Sequence, residues 1–137
     1  MRRPLALLVV VALFVNGGAN GAGATDHPTA RLVKVTSASQ PVDIASRPRD
    51  NGLYIAEQDG VVVRYDPKTK AKSTALDLTS FTGASGERGL LGIVFHPDGR
   101  FLYVNYTDAA GDTVVARYRM TTANAADPAT RVELFSL

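Results

Sequence analysis

The chain has 137 residues, of which 20% are charged and 45% hydrophobic, with no Cys and no Trp. That length holds one domain, and the composition excludes wholesale disorder and a collagen-like repeat. Without Cys there is no disulfide framework, thiolate zinc site or cysteine nucleophile. Lys and Arg number 15 against 13 Asp and Glu. Two of the cations, Arg2 and Arg3, lie in an N-terminal segment expected to be removed, so the remaining charge balances. A neutral chain without a basic run offers nucleic acid or an anionic membrane no electrostatic footing.

The first element is an export signal over residues 1–24. Met1-Arg2-Arg3-Pro4 is a positive start, Leu5 to Val15 is an unbroken apolar run, and Asn16 to Ala24 is small and polar, closing on Ala22-Gly23-Ala24. This is the three-part plan of a secretory signal with small residues before the cleavage point. The apolar run is shorter than the ~20 residues of a spanning helix, so no stable membrane anchor is expected. Cleavage after Ala24 leaves a mature chain starting at Thr25, destined for the periplasm or the exterior. Residues 25–41 follow as an N-terminal segment whose Leu32–Val35 run is a candidate ring-closing strand.

From residue 42 onward the chain reads as all-β. Short β-rich runs alternate with Gly, Pro, Asp and Asn. The expected strands are Val42–Ala45, Leu53–Glu57, Val61–Tyr65, Ala75–Leu78, Leu90–Phe95, Leu102–Tyr106, Val114–Arg119 and Val132–Phe135. They fall into two copies of one unit. Pro48, Leu53 and Tyr54 recur as Pro97, Leu102 and Tyr103, 49 residues on. Val62-Val63-Arg64-Tyr65 recurs as Val115-Ala116-Arg117-Tyr118, offset by 53, with the extra residues in a longer hairpin loop around Asp108-Ala109-Ala110-Gly111. A repeat of this size with about four strands marks a β-propeller blade, which cannot cover both of its faces alone. Blade one is expected over about Val42–Leu78 and blade two over about Leu90–Phe135. A two-sheet sandwich shows similar short strands, but not an in-register repeat. Propellers have ~4–8 blades, so two blades leave two large apolar faces open. The chain is therefore expected to be the N-terminal part of a longer protein or a truncated product.

Gly86-Glu87-Arg88-Gly89-Leu90-Leu91-Gly92 is the densest stretch. Its glycines indicate a tight loop closely approached by other backbone as it enters a strand. Glu87 and Arg88 crown the loop between the blades, where scaffolds often carry function. They read either as a local ion pair bracing the loops or as groups facing a substrate. His96 suits a general base by its titration range, yet His96-Pro97-Asp98-Gly99 is a turn sequence and the repeat fills the same place with Ser46-Arg47-Pro48-Arg49-Asp50, so His96 reads as structural. His27 falls in the new N-terminal tail. Nucleophile elbow, zinc-helix, phosphate-loop and dinucleotide motifs are absent from the sequence. Asn105-Tyr106-Thr107 matches a glycosylation sequon on an expected strand.

The stretch from Gly86 to Asp98, followed by Leu102-Tyr103-Val104-Asn105-Tyr106-Thr107, resembles the soluble pyrroloquinoline-quinone (PQQ)-dependent aldose dehydrogenases, the glucose/sorbosone dehydrogenase family. Leu53-Tyr54-Ile55-Ala56-Glu57-Gln58-Asp59-Gly60 and Val114-Val115-Ala116-Arg117-Tyr118 are similar to its first- and second-blade signatures. The resemblance covers most of Val42 to Leu137. It implies an exported six-bladed propeller that holds PQQ over calcium and oxidises an aldose at C1, passing electrons to an acceptor. It places Glu87, with Arg88 beside it, on the substrate-facing rim. The family's His base lies in an Asp/Asn-His-x-Gly-Gly-type segment expected just after Leu137, and the PQQ and calcium loops are expected later still. No catalytic, cofactor-binding or metal-binding residue is therefore assigned in this chain, which alone is expected to be inactive. Non-catalytic extracellular binding propellers of the hedgehog-interacting type share the motif and are the alternative.

Overall fold

A computed structural model describes residues 30–137; the signal segment, the Ala24 cleavage point and His27 lie outside the described residues. The described chain is all-β. Eight strands form two four-stranded antiparallel sheets with strictly sequential order, the arrangement of two propeller blades. Blade one holds β1 (Pro41–Ser46), β2 (Leu53–Glu57), β3 (Val61–Tyr65) and β4 (Lys72–Asp77). Blade two holds β5 (Leu90–Phe95), β6 (Phe101–Thr107), β7 (Thr113–Met120) and β8 (Ala126–Ser136).

The ladder register reproduces the repeat. Asp43 lies opposite Ala56 beside a bulge in blade one, and Gly92 lies opposite Asn105 beside a bulge in blade two. Leu53 faces Tyr65 as Leu102 faces Tyr118. Alternation along each strand sends one set of side chains into the seam between the sheets. From blade one come Tyr54, Ala56, Val62 and Leu76; from blade two come Leu90, Leu102, Val104 and Tyr106, all buried in one cluster. Tyr54 meets Phe95 edge-on with ring centroids 4.6 Å apart. Across the inner strands, the Ile93 N–H donates to Asp43 Oδ2 at 2.8 Å.

One segment is placed and two expectations are corrected. Leu32–Val35, the candidate ring-closing strand, joins no ladder among the described residues. Leu32 and Val33 are half-exposed, while Val35 and Ala38 lie against Ile55 and Tyr65. The Tyr65 hydroxyl fastens this segment by donating to the Val35 carbonyl at 3.1 Å. Val35 and Ala38 are the cap, so the outer face of blade one is partly covered instead of open. The edge strands β4 and β8 start earlier than expected, at Lys72 and Ala126 rather than Ala75 and Val132. β4 opens on the exposed polar run Lys72-Ser73-Thr74, and β8 opens on Ala126-Asp127-Pro128-Ala129, which mixes small, acidic and Pro residues; as edge strands they carry no hydrophobic alternation there. Pro128 fits in β8 because an outermost strand has one side free of ladder donors. Finally, Gly92 has no left-handed backbone, and a Cβ there meets only Asp43 Oδ2 at 3.6 Å, an ordinary contact.

Candidate functional site

The connection from β4 to β5, residues 78–89, crosses from the outer strand of one blade to the inner strand of the next. It shares its end of the molecule with the β2–β3 turn at 58–60 and the β6–β7 turn at 108–112. Both turns grip it. The Leu90 N–H donates to the Gln58 carbonyl at 2.9 Å, and the Thr107 N–H donates to the Gly89 carbonyl at 2.8 Å. The Gly83 N–H donates to the Thr107 carbonyl at 3.0 Å, and the Thr82 hydroxyl donates to the Asp59 carbonyl at 2.8 Å. Gln58 completes the clamp. Its amide donates to the carbonyls of Gly86 at 2.6 Å and Arg88 at 3.0 Å, on either side of Glu87.

Gly89 is what allows this approach. Its φ is +129°, and a Cβ would stand 2.0 Å from the Gln58 carbonyl oxygen. Only glycine fits a backbone so turned and so closely opposed.

The clamp leaves Glu87 and Arg88 exposed at the crown. They form no ion pair with each other, and Glu87 has no hydrogen-bond partner among the described residues. The bracing role considered for them belongs to Gln58. Arg88 lies across the β6–β7 turn, its guanidinium filling the space a side chain at Gly111 would need; an added Cβ would be 2.8 Å from Nη2. That turn is fixed by Asp108 Oδ1, which accepts the N–H groups of Gly111 and Asp112, both at 2.9 Å. The inter-blade loop thus lays the Arg88 guanidinium over a turn of blade two that Asp108 holds rigid, with Glu87 exposed next to it in the chain. Glu87 can accept and Arg88 can donate hydrogen bonds to a polar ligand.

His96 stands at the opposite end, in the β5–β6 turn. The Gly99 N–H donates to the His96 carbonyl at 2.8 Å, and the His96 ring meets Phe101 edge-on. Its Nδ1 is 2.8 Å from Asp98 Oδ1. Asp98 is held below the usual carboxylate range, first by the Arg100 backbone N–H and then by the Arg100 and His96 side chains. The turn geometry and the distance from Glu87 separate this histidine from the rim.

Among the described residues no three His, Asp or Glu side chains converge as a metal site. Gln58 is the residue that sequence reasoning missed. Its signal was its place in the Glu57-Gln58-Asp59-Gly60 turn, but its partners are backbone carbonyls that no motif displays.

Comparison with family models and with curated proteins gives no match. Among solved structures, a crystal structure of glucose dehydrogenase is similar with a TM-score of 0.59 and 23% sequence identity over 71% of this chain. The aligned part is 30% of the glucose dehydrogenase chain. At that identity the likeness shows a shared fold, and the two blades here span under a third of the larger protein.

Proposed function

We propose that these blades are the N-terminal part of an exported PQQ-dependent aldose dehydrogenase of the glucose/sorbosone type, which oxidises a sugar at C1. The observation that carries the reading is the clamped β4–β5 loop. It presents Glu87 and Arg88 at an inter-blade rim, on a fold similar to that of a glucose dehydrogenase. In this reading Glu87 accepts hydrogen bonds from sugar hydroxyls and Arg88 donates to ring or hydroxyl oxygens. The quinone, with calcium, supplies the hydride acceptor that no amino-acid side chain can provide. The proton acceptor lies outside these blades, because general-base catalysis needs hydrogen-bond reach to the proton removed and His96 is at the far end.

The test takes the native exported protein that contains these blades, loaded with PQQ and calcium and assayed on aldoses with a redox dye. Its N-terminus should be Thr25. Aldose-dependent dye reduction is expected from it, and none from the 137-residue chain alone. Glu87→Ala should raise KM for the sugar more than it lowers kcat, since the carboxylate binds and does not react. Loaded native protein that reduces no dye with any aldose would overturn the reading and leave the binding propeller in its place.

A further inference from the structure

Blade one seats a carboxylate on a cross-strand Tyr–Arg pair. Tyr54 and Arg64 lie opposite each other in the β2–β3 ladder. Asp50 Oδ2 accepts the Tyr54 hydroxyl and Arg64 Nε, both at 2.8 Å, and Oδ1 accepts Arg64 Nη2 at 2.5 Å. The guanidinium lies across Gly52, where an added Cβ would stand 2.6 Å from Nε.

Blade two repeats each part of this arrangement except the acid. Tyr103 and Arg117 lie opposite each other in the same register. Phe101 stands at the place of Gly52, and the Arg117 guanidinium again lies across it, with Cζ 4.5 Å from the ring centroid. Arg119 reaches the same ring at 5.4 Å. The place of Asp50, 49 residues on, is Gly99, which has no side chain to offer. Neighbouring acids are engaged elsewhere. Asp98 holds the Arg100 N–H, the Arg100 side chain and His96 Nδ1. Asp127, opposite Arg119 on β8, accepts the Ala129 N–H at 3.0 Å. Among the described residues, Arg117 and Arg119 form no ion pair, and the Tyr103 hydroxyl has no hydrogen-bond partner. Stacking on a ring fixes the plane of a guanidinium and leaves its N–H edge free, and that fork matches the two oxygens of a carboxylate.

The geometry points to a binding site for the carboxylate of a small ligand at Arg117, with the Tyr103 hydroxyl as second donor and Arg119 adding charge beside it. The ligand takes the place that Asp50 fills in blade one. A neighbouring blade leaves room for it. The matching corner of blade one, with blade two packed on it, still borders a hollow of about 290 Å³ that Asp50 helps to line. The site lies toward the β5–β6 turn, at the end opposite Glu87, so an acid bound there does not compete with a ligand at the rim. The inference rests on the comparison of the two repeats and uses no sugar chemistry.

The test adds sodium acetate to the mature chain and to the native exported protein that contains these blades, with sodium chloride at equal ionic strength as the control. NMR follows the Arg117 Nε–H and the Tyr103 ring. Both signals should shift saturably with acetate, and not with chloride, in both proteins. Arg117→Lys keeps the charge and loses the fork, so it should bind acetate about tenfold more weakly, the loss of one charge-assisted hydrogen bond, as read from the Tyr103 ring. Because Arg117 lies partly in solvent, the variant should fold as the parent does. Shifts that chloride reproduces, or an Arg117→Lys variant that binds acetate as tightly as the parent, would overturn the inference. Saturation in the mature chain but not in the native protein would overturn it too, since an acid of the protein's own would then hold the site.

Discussion

Blade one and blade two turn the same corner, after β1 and after β5, but hold it by different means. In blade one Asp50 accepts from Arg64 Nε at 2.8 Å, Arg64 Nη2 at 2.5 Å and the Tyr54 hydroxyl at 2.8 Å. Arg47 crosses the seam beside it, donating to the Gly99 carbonyl at 2.8 Å and to Asn124 Oδ1 at 2.7 Å. In blade two Asp98 binds only its own turn, through Arg100 and His96, and the Arg100 side chain is 71% exposed. The backbone turn is common to both. What differs is whether the neighbouring blade shields the corner, and shielding is what makes a charge pair matter.

The comparison breaks most completely at the link between the blades. Gly89→Val puts a β-branched side chain at φ +129° and into the Gln58 carbonyl, which should destabilise by about 3 kcal/mol. Gly92→Val, three residues on, has ordinary space around its Cβ and should stay within about 1 kcal/mol. Thermal melts of the two variants decide it, and equal losses would mean the clamp is not what fixes the loop. Next in size is the blade-one corner. Arg64→Ala leaves the Asp50 carboxylate, 9% exposed, without its bidentate partner, at about 2–3 kcal/mol. Arg100→Ala should leave the melting temperature of the chain unchanged, because water already competes for that pair.

Acid sharpens the same contrast. The Arg64 hydrogen bonds hold Asp50 down to about 2, against the 3.8 of a free aspartate. A carboxyl depressed on folding contributes stability that is full above its unfolded pKa and is lost as pH falls toward the folded one. The contribution, about 2 kcal/mol, should therefore fade between pH 4 and pH 2. Asp50→Asn should flatten that part of a stability–pH profile measured by urea melts. An unchanged acid limb would show that Asp50 is not its source.

The strands that were readable to the residue are β2, β3 and β5. Each carries apolar side chains on both faces, because each is sandwiched or inner. The 49-residue repeat was readable because Leu53 and Leu102, and Tyr54 and Tyr103, hold equivalent places in the ladders, Tyr54 and Leu102 buried and Leu53 and Tyr103 partly so. The leading residues of β4 and β8 were not, and neither was the cap made by Val35 and Ala38, because the neighbouring Leu32–Val35 run reads as a strand when its partner face is unknown. At the rim, the glycines announced a tight loop and left Glu87 and Arg88 on top of it. The Gln58 clamp and the Asp43 bond to blade two stayed hidden because each joins a side chain to backbone from a distant part of the sequence, and backbone atoms carry no residue signature.

The smallest effect tests whether the rim separates holding from presenting. Gln58 makes two hydrogen bonds to the loop from an exposed position, so Gln58→Ala should destabilise by about 1 kcal/mol. Glu87 touches nothing that the fold requires, so Glu87→Ala should stay within about half a kcal/mol. The contrast is better read locally than globally. Amide exchange at Leu90, whose N–H is bonded to the Gln58 carbonyl, should quicken in Gln58→Ala and keep its parental rate in Glu87→Ala. A carboxylate that can be removed without loosening its own loop is free to be chosen for what it binds, whereas faster exchange in Glu87→Ala would make it a brace and take it off the rim's list of ligand-facing groups.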